Sequence, residues 1–226
     1  MTEKLTLRQA TESDNPAVFR LFMRSVRDLE YRQGVIAVND GDDPLFVAEQ
    51  WEKERPMFEH LARTAHSYWL AERDGEVVGY ARSILRERML ELTEFFVSPG
   101  EQSQGVGREL LKRVFAAPEA DVRTIIASTD TRAQARYLKT GVYPKFPIFY
   151  FYKRPEPSEV VTDLSFVPME SSDESLESLA ELDREILGYR RGIDHAWFMS
   201  SRTGFLYVRE GRPAGYGYIT RGGGSG

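Results

Sequence analysis

The sequence contains no cysteine, and this absence excludes several kinds of chemistry. Without thiols the chain has no disulfide scaffold, no thiolate metal site and no cysteine nucleophile, and it suits a reducing compartment. Histidine is scarce as well: the three residues His60, His66 and His195 lack the spacing of metal ligands. We therefore expect a cytoplasmic protein without a bound metal, whose chemistry uses other side chains.

Long apolar runs and a clustered basic surface are also missing. No run approaches the roughly 20 apolar residues that cross a bilayer. The first residues, Met1–Lys4, lead into an alternating segment and not into a signal peptide. Residues 1–155 carry 23 basic and 23 acidic side chains, whereas a protein that binds nucleic acid usually clusters positive charge. The sequence therefore predicts neither a membrane nor a nucleic acid as partner.

What the sequence does contain is an internal repeat. Residues 5–14 align without gaps with residues 164–173, each as an alternating strand followed by a Ser-Asp helix start. Residues 69–80 align in the same way with residues 205–216, each as a strand, a glycine turn and a second strand. Two matches in the same order predict two related domains.

The second copy is shorter than the first. We expect a complete first domain at 1–155, a linker with proline and charge at 156–161, and a partial second copy at 162–226. Because the second copy stops soon after its hairpin, its strand near 214–220 has an unpaired edge. This edge is expected to dock on the first domain or on a second chain, as in a homodimer, or the chain continues beyond Gly226 into the missing strands.

The pattern of the first copy predicts a mixed α/β layer structure. Alternating segments indicate strands, and segments with helical periodicity separate them. The predicted elements are a strand at 5–10, helices within 15–30 and 44–64, strands at 67–73, 76–88 and 90–97, a helix at 105–116, a strand at 123–129, a helix at 131–140 and an aromatic strand at 146–153.

A glycine loop between a strand and a helix is the most informative stretch of the first copy. The apolar residues of the helix at 105–116 share one face, so the helix packs on the sheet and its N-terminus points to the end of the strand at 90–97. Free N–H groups and the helix dipole make this end an anion site. Val106-Gly107 replaces the Lys-Ser/Thr of an ATP loop, and Leu110 replaces the third glycine of a dinucleotide loop. The loop is therefore neither an ATP-binding loop nor a dinucleotide-binding loop.

The Gln-x-x-Gly-x-Gly run at 102–107, after a strand that ends Phe-Phe-Val-Ser-Pro, resembles the acyl-CoA signature of the GNAT acetyltransferase superfamily. The similarity spans residues 5–153, and the second copy makes the chain similar to the tandem type. The resemblance implies a GNAT-like fold with a mixed sheet, and acetyl-CoA as the acyl donor. It also implies that the coenzyme contacts Phe96, Val97, Gln102, Ser103, Gln104, Gly105, Val106, Gly107, Arg108, Thr131 and Ala133.

The resemblance assigns further roles within this set. Backbone N–H groups of residues 103–108 would hold the pyrophosphate, and Phe96 and Val97 would pair with pantetheine. In the family this strand carries a bulge and splays from its neighbour, which leaves N–H donors for the acyl carbonyl. Tyr137 matches the family's tyrosine before Gly141, which protonates the departing thiolate, although a helix tyrosine can equally just pack. A phenol, with a pKa of about 10, suits the role.

The strand at 90–97 offers two carboxylates that could accept the proton of an attacking amine. Glu91 occupies the place of the general base in some family members, and a surface salt bridge is its alternative role. Simple alternation puts Glu94, the reserve candidate, on one face with Leu90 and Leu92. A bulge between the two glutamates would reverse the later parity.

The predicted function is that of an acyl-CoA-dependent N-acetyltransferase. It would transfer an acetyl or similar acyl group to the primary amine of a small molecule or peptide. No residue indicates a covalent intermediate, so direct attack in a ternary complex is expected. The alternative is a catalytically weak acyl-CoA-binding module that acts as a sensor or structural half. The second copy is expected to bind no coenzyme, because it lacks the glycine loop.

Overall fold

A computed structural model describes residues 4–149, 159 and 161–220. The chain forms two compact units, Met1–Tyr143 and Pro144–Gly226. The predicted boundary at 155 and most of the predicted linker at 156–161 lie outside the described residues. Among the described residues, no helix has the length and apolar character that crossing a membrane requires.

The first unit has the predicted order of strands and helices, which confirms the mixed α/β architecture. Its sheet has the strand order of the sequence, with the last strand parallel to its neighbour and the others antiparallel. The elements are β1 Leu5–Gln9, α1 Asn15–Arg32, α2 Pro44–Arg63, β2 Ala65–Arg73, β3 Glu76–Arg86, β4 Met89–Val97, α3 Val106–Val114, β5 Val122–Ile125 and α4 Thr131–Leu138.

Two apolar clusters pack the helices on the sheet. Leu110 and Val114 of α3 are fully buried against Leu90 of β4 in one cluster, whereas α1 and α2 pack around Tyr80 of β3 in the other. Tyr80 and Ala81 are neighbours on one strand and belong to different clusters, so the clusters lie on opposite faces of the sheet. Each large side chain buried in this way stabilises the fold by about 1.5–3 kcal/mol.

A β-bulge at Thr93 changes which side chains of β4 face each helix layer. Arg82 of β3 pairs with Glu94, but the next residue, Ser83, pairs with Leu92, so Thr93 is the extra residue. Its hydroxyl donates a hydrogen bond to the carbonyl of Arg82 at 3.1 Å.

The bulge corrects the prediction from simple alternation. Leu90 and Leu92 belong to the cluster under α3, whereas Phe96 packs in the cluster under α1 and α2. Glu94 contacts Tyr80 of that second cluster, so it does not share a face with Leu90 and Leu92. The two glutamates of β4 consequently face the same helix layer.

The end of the first unit differs from the prediction. The strand expected at 123–129 ends at Ile125, where its pairing with Leu92 of β4 stops. In the aromatic strand expected at 146–153, residues 146–149 have no regular structure, and the remainder lies outside the described residues.

The second unit is a smaller α/β arrangement. It contains β6 Ser165–Met169, α5 Asp173–Ile186, α6 Gly192–Ser201, β7 Thr203–Arg209 and β8 Arg212–Ile219, and the three strands form one antiparallel sheet in that order. Ser172 caps α5, because its hydroxyl accepts a hydrogen bond from the N–H of Ser175 at 3.2 Å. The expected Ser-Asp helix start is therefore present.

The central hairpins of the two units have the same register irregularity. In the first unit the shift lies between Ala71 and Glu72 of β2. In the second it lies between Tyr207 and Val208 of β7. These are aligned positions in the sequence repeat.

Candidate active site

A cavity of about 740 Å³ opens in the first unit where β4 and β5 stop pairing. The last paired residues are Leu92 and Ile125, and β4 continues for five residues without β5 beside it. Segments of α1, β4, the glycine loop and α4 form the cavity wall. The volume is that of a typical small-molecule site.

The glycine loop leads into α3 with two residues in the left-handed region. Ser103 has φ 68° and Gly105, the N-cap of α3, has φ 91°. The N–H groups of Arg108 and Glu109 bond to the carbonyl of Gly105, whereas those of 103–105 make no hydrogen bond within the described part of the chain. Alternating backbone of this kind at a helix N-terminus forms a concave anion site.

Side chains hold the loop in this conformation. The amide of Gln102 donates to the carbonyl of Val97 at 3.3 Å, and the amide of Gln104 donates to the carbonyl of Gly100 at 3.1 Å. Arg73 of β2 pairs with Glu101 at 2.9 Å. The two glutamines therefore shape the loop with their side chains.

Gly105 and Gly107 are required for different reasons. A Cβ on Gly105 would meet nothing closer than the Arg108 guanidinium at 3.8 Å, so this residue borders open space. A Cβ on Gly107 would lie 2.8 Å from the Phe95 ring, which is too close. Gly107 therefore lets α3 approach β4 closely.

Most of the predicted coenzyme contacts border the cavity, and four do not. The side chain of Val106 is buried in the core under α3, and Arg108 is exposed and pairs with Glu109 at 3.3 Å. Gln104 turns back to the loop, and Thr131 is exposed while Asp130 caps α4. The residues that do border it are Phe96, Val97, Gln102, Ser103, Gly105, Gly107 and Ala133.

Tyr137 of α4 forms part of the cavity wall. Its ring lies 6.0 Å from the Phe95 ring in an edge-to-face arrangement. Burial, together with the charge of Asp130, raises the pKa of Tyr137 to about 12. The phenol is therefore protonated at neutral pH and can donate a proton or hydrogen bond into the cavity.

Of the two predicted carboxylates, only Glu94 borders the cavity. The Tyr80 hydroxyl donates to Glu94 Oε1 at 3.0 Å, and the Arg82 guanidinium forms a salt bridge with Oε2. Glu94 is 8% exposed, so most of its surface contacts protein. Glu91 lies on the same face of β4 but is not part of the wall.

Arg82, the partner of Glu94, is a buried charged residue that the sequence pattern did not identify. It is fully buried, and its guanidinium lies over the rings of Phe58 and Tyr68 at 5.4 and 4.7 Å from their centroids. It also donates to the carbonyl of Phe58 at 2.9 Å. The available signal was an arginine inside the strand, directly after the apolar residues Tyr80 and Ala81, because a buried charge needs a partner.

No group of three or more histidine, cysteine, aspartate or glutamate side chains in the described ranges could hold a metal ion.

The chain matches the model of the Acetyltransferase (GNAT) family over residues 23–142. This range is more than half of the 226 residues and contains β4, the glycine loop and all of α3 and α4. The chain therefore belongs to the GNAT family of acetyltransferases, and it is an enzyme of that class.

The chain is similar to several solved structures, of which the first shows the same fold. A proposed acetyltransferase from Pyrococcus horikoshii is 18% identical with a TM-score of 0.64, over 96% of this chain and 68% of that chain. The PaiA N-acetyltransferase from Thermoplasma acidophilum, in complex with coenzyme A, is 14% identical with a TM-score of 0.45, over 61% of this chain and 88% of that chain. An aminoglycoside acetyltransferase from an uncultured soil metagenomic sample is 16% identical with a TM-score of 0.44, over 67% and 97%. No curated protein matches the chain.

Proposed function

We propose that the first unit transfers an acetyl group from acetyl-CoA to a primary amine, by direct attack in a ternary complex. The observation that carries this proposal is the cavity between the diverging ends of β4 and β5, with the glycine loop and the N-terminus of α3 at its rim. The loop supplies N–H donors for the pyrophosphate. The five residues of β4 after Leu92 supply backbone partners for pantetheine.

The end of β4 that lies beyond its pairing with β5 supports a role for this strand in the chemical step. Because pairing with β5 has ended, backbone N–H groups of β4 after Leu92 face the cavity side of the strand without a strand partner. Such fixed donors stabilise the negative charge that develops on the acyl oxygen. In this proposal Tyr137 then donates its proton to the departing thiolate.

The acceptor amine is proposed to bind between α1 and β4. The hydroxyl of Ser25 on α1 borders this part of the cavity and is buried without a hydrogen-bond partner among the described residues. Glu94 of β4 offers a carboxylate that borders the same cavity. We propose that Glu94, and not Glu91, accepts the proton of the attacking amine, because only Glu94 of the two borders the cavity.

The second unit is proposed to be a partial second GNAT-like repeat that binds no coenzyme. Its strand order, its helix start and the position of its register shift match those of the first unit. Residues 161–220 contain no strand, glycine loop and helix in the order of β4, the loop at 102–107 and α3. The cytoplasmic location and the docking of the edge strand β8 stay predictions.

Release of free coenzyme A from acetyl-CoA, measured with and without a panel of amines, tests the proposed function. An enzyme with this function releases thiol at least tenfold faster with a suitable small-molecule or peptide amine, and the acetylated amine appears in equal amount. A sensor or structural module would bind acetyl-CoA but show no amine-dependent release. The panel would also identify the acceptor class.

A further inference from the structure

A second cavity, of about 350 Å³, lies in the first unit between α1 and α2 and shares no residue with the acyl cavity. Its inner wall is apolar and consists of Phe19 of α1 with Val47 and Trp51 of α2. The rings of Phe19 and Trp51 lie 5.2 Å apart. Pockets of at least 300 Å³ with apolar walls and a few polar groups are typical of small-molecule sites.

The rim of this cavity carries positive charge. Arg20 and Arg24 lie one turn apart on α1, and both border the cavity. Arg24 donates to Asp42 at 2.6 Å, whereas Arg20 is exposed and has no ion pair or hydrogen bond to any residue that the structure describes. Two arginines and one aspartate leave the rim with a net charge of about +1 at neutral pH.

The third side of the cavity is a fixed loop. Gly41 packs so closely on α1 that a Cβ there would lie 2.9 Å from the Cα of Arg24. Asp40 forms a salt bridge with Arg27 of α1, and Asp43 caps α2 by accepting the N–H of Leu45 at 2.9 Å. The loop is held on both sides, so the cavity is preformed and does not need a ligand to order it.

We propose that this cavity binds a small hydrophobic carboxylate. The apolar part would lie against Phe19, Val47 and Trp51, and the carboxylate would bind Arg20 and the free donors of Arg24. Guanidinium groups bind carboxylates with paired hydrogen bonds, and a monoanion matches the charge of the rim. The inference does not depend on the acetyl-transfer proposal, because the cavity is separate from the acyl cavity.

Titration of the full chain with octanoate, in the absence of acetyl-CoA, tests the inference by calorimetry and by tryptophan fluorescence. Saturable binding at one site is expected, with octylamine and octanol at least tenfold weaker because they lack the anionic head. The fluorescence change should disappear in Trp51→Phe while the calorimetric binding persists. Octanoate that fails to saturate, or that binds no more tightly than octylamine, would overturn the inference.

Two variants place the ligand in the cavity. Arg20→Gln should weaken octanoate binding about tenfold, the usual worth of one charge-assisted contact. The matched control is Arg55→Gln, which removes an exposed arginine of α2 that does not border the cavity, and it should leave the affinity for octanoate unchanged. Ala48→Phe should block binding, because Ala48 borders the cavity and is exposed, so that the larger ring is accommodated without disturbing the core. Wild-type affinity in Arg20→Gln or in Ala48→Phe would contradict the proposal.

Discussion

The two units build the same hairpin but bury different charges around it. In the first unit the turn between β2 and β3 has Asp74 and Gly75 at φ 52° and 82°, and in the second the turn between β7 and β8 has Glu210 and Gly211 at φ 51° and 74°. Both are left-handed two-residue turns of the kind that hairpins favour. The backbone framework is therefore shared, and the side chains around it differ.

Each unit contains a buried carboxylate, and a buried histidine is among the partners only in the second unit. Glu94 of the first unit is neutralised by the fully buried Arg82. Asp183 of the second unit bonds to Nε2 of His195 at 2.8 Å and to Arg191 at 3.2 Å. An arginine keeps its charge at every pH at which proteins fold, whereas a histidine does not. The two networks should therefore respond differently to mutation and to acid.

The largest effect is expected from Glu94→Ala, which leaves the buried charge of Arg82 without its partner. Removing one member of a buried pair costs about 3–5 kcal/mol of unfolding free energy. Hydrogen exchange of β3 and β4 measures the loss in the first unit separately from the second. Glu49→Ala, which breaks an exposed pair with Lys53, is the control and should change little.

Removing both charges distinguishes an unpaired charge from lost packing. The double variant Arg82→Met with Glu94→Leu should recover most of the stability that Glu94→Ala loses, because no charge stays buried alone. A double variant as unstable as the single one would show that the ion pair is not the cause. The second unit should keep its exchange rates in all these variants.

Tyr137→Phe should lower kcat about tenfold to a hundredfold, with little change in the affinity for acetyl-CoA. The reason is that donation to the departing thiolate matters only in the transition state. The pKa of about 12 means that Tyr137 itself adds no limb to the rate profile between pH 6 and 10. Steady-state kinetics and calorimetry measure both quantities, and an equal loss of binding would reveal a packing role. Residues 161–220 of the second unit contain no equivalents of α3 and α4. We therefore expect no second site whose activity would mask the loss in Tyr137→Phe.

Acid should weaken the second unit before the first. Burial lowers the pKa of His195, although its hydrogen bond with Asp183 opposes this, and Arg191 and Asp194 add smaller opposed effects. At pH 8 the imidazole is neutral in both the folded and the unfolded unit, so its protonation does not affect the free energy of unfolding. As the pH falls below the ordinary value of 6.5, the unfolded chain takes up a proton that the folded unit resists, so stability falls.

Asp183 extends the same loss to lower pH. Burial raises its pKa, but hydrogen bonds from Tyr216, Arg191 and His195 more than offset this and hold the pKa below its ordinary value. This stabilisation is present above pH 3.8 and disappears as the pH falls through the folded value. Urea unfolding at pH 8, 6.5, 5 and 3, followed by hydrogen exchange of β8, measures the histidine effect between pH 8 and 5 and the Asp183 effect below pH 5. His195→Gln should reduce the loss of stability of the second unit between pH 8 and 5. His66→Gln, which changes a histidine of the first unit, is the control and should not reduce it.

The smallest effect is expected from Glu91→Gln. Because Glu91 does not border the cavity, the turnover of the Glu91→Gln enzyme should stay within about twofold of wild type at each pH. The Glu94→Gln enzyme should lose more turnover than that. The ratio of the two rates, measured from pH 6 to 9, decides which carboxylate of β4 serves the amine. A loss confined to Glu91→Gln at low pH would restore Glu91 as the base.

Features that lie within one contiguous stretch could be predicted from the sequence. The helix start at Ser172 and the glycine loop at 102–107 depend on neighbouring residues, and both are present. The pair of Arg82 and Glu94 could not be predicted, because a single extra residue in β4 decides which side chain faces Arg82. Asp183 and His195 meet only after α5 and α6 pack, and no local pattern encodes that distance. The reason for Gly107 likewise lies in Phe95, twelve positions earlier and on another element.

The central claim, that the glycine loop of the first unit alone holds the coenzyme pyrophosphate, is tested most directly by comparing Gly105→Asp with Gly105→Asn. The two side chains have nearly the same size and both tolerate φ 91° better than other residues, so they differ mainly in charge. Calorimetric titration of the full chain with coenzyme A should give one site per chain in wild type. Gly105→Asp should bind at least tenfold more weakly than Gly105→Asn, because a carboxylate would lie beside the phosphates. Equal affinities in the two variants, or two sites per chain, would contradict the account.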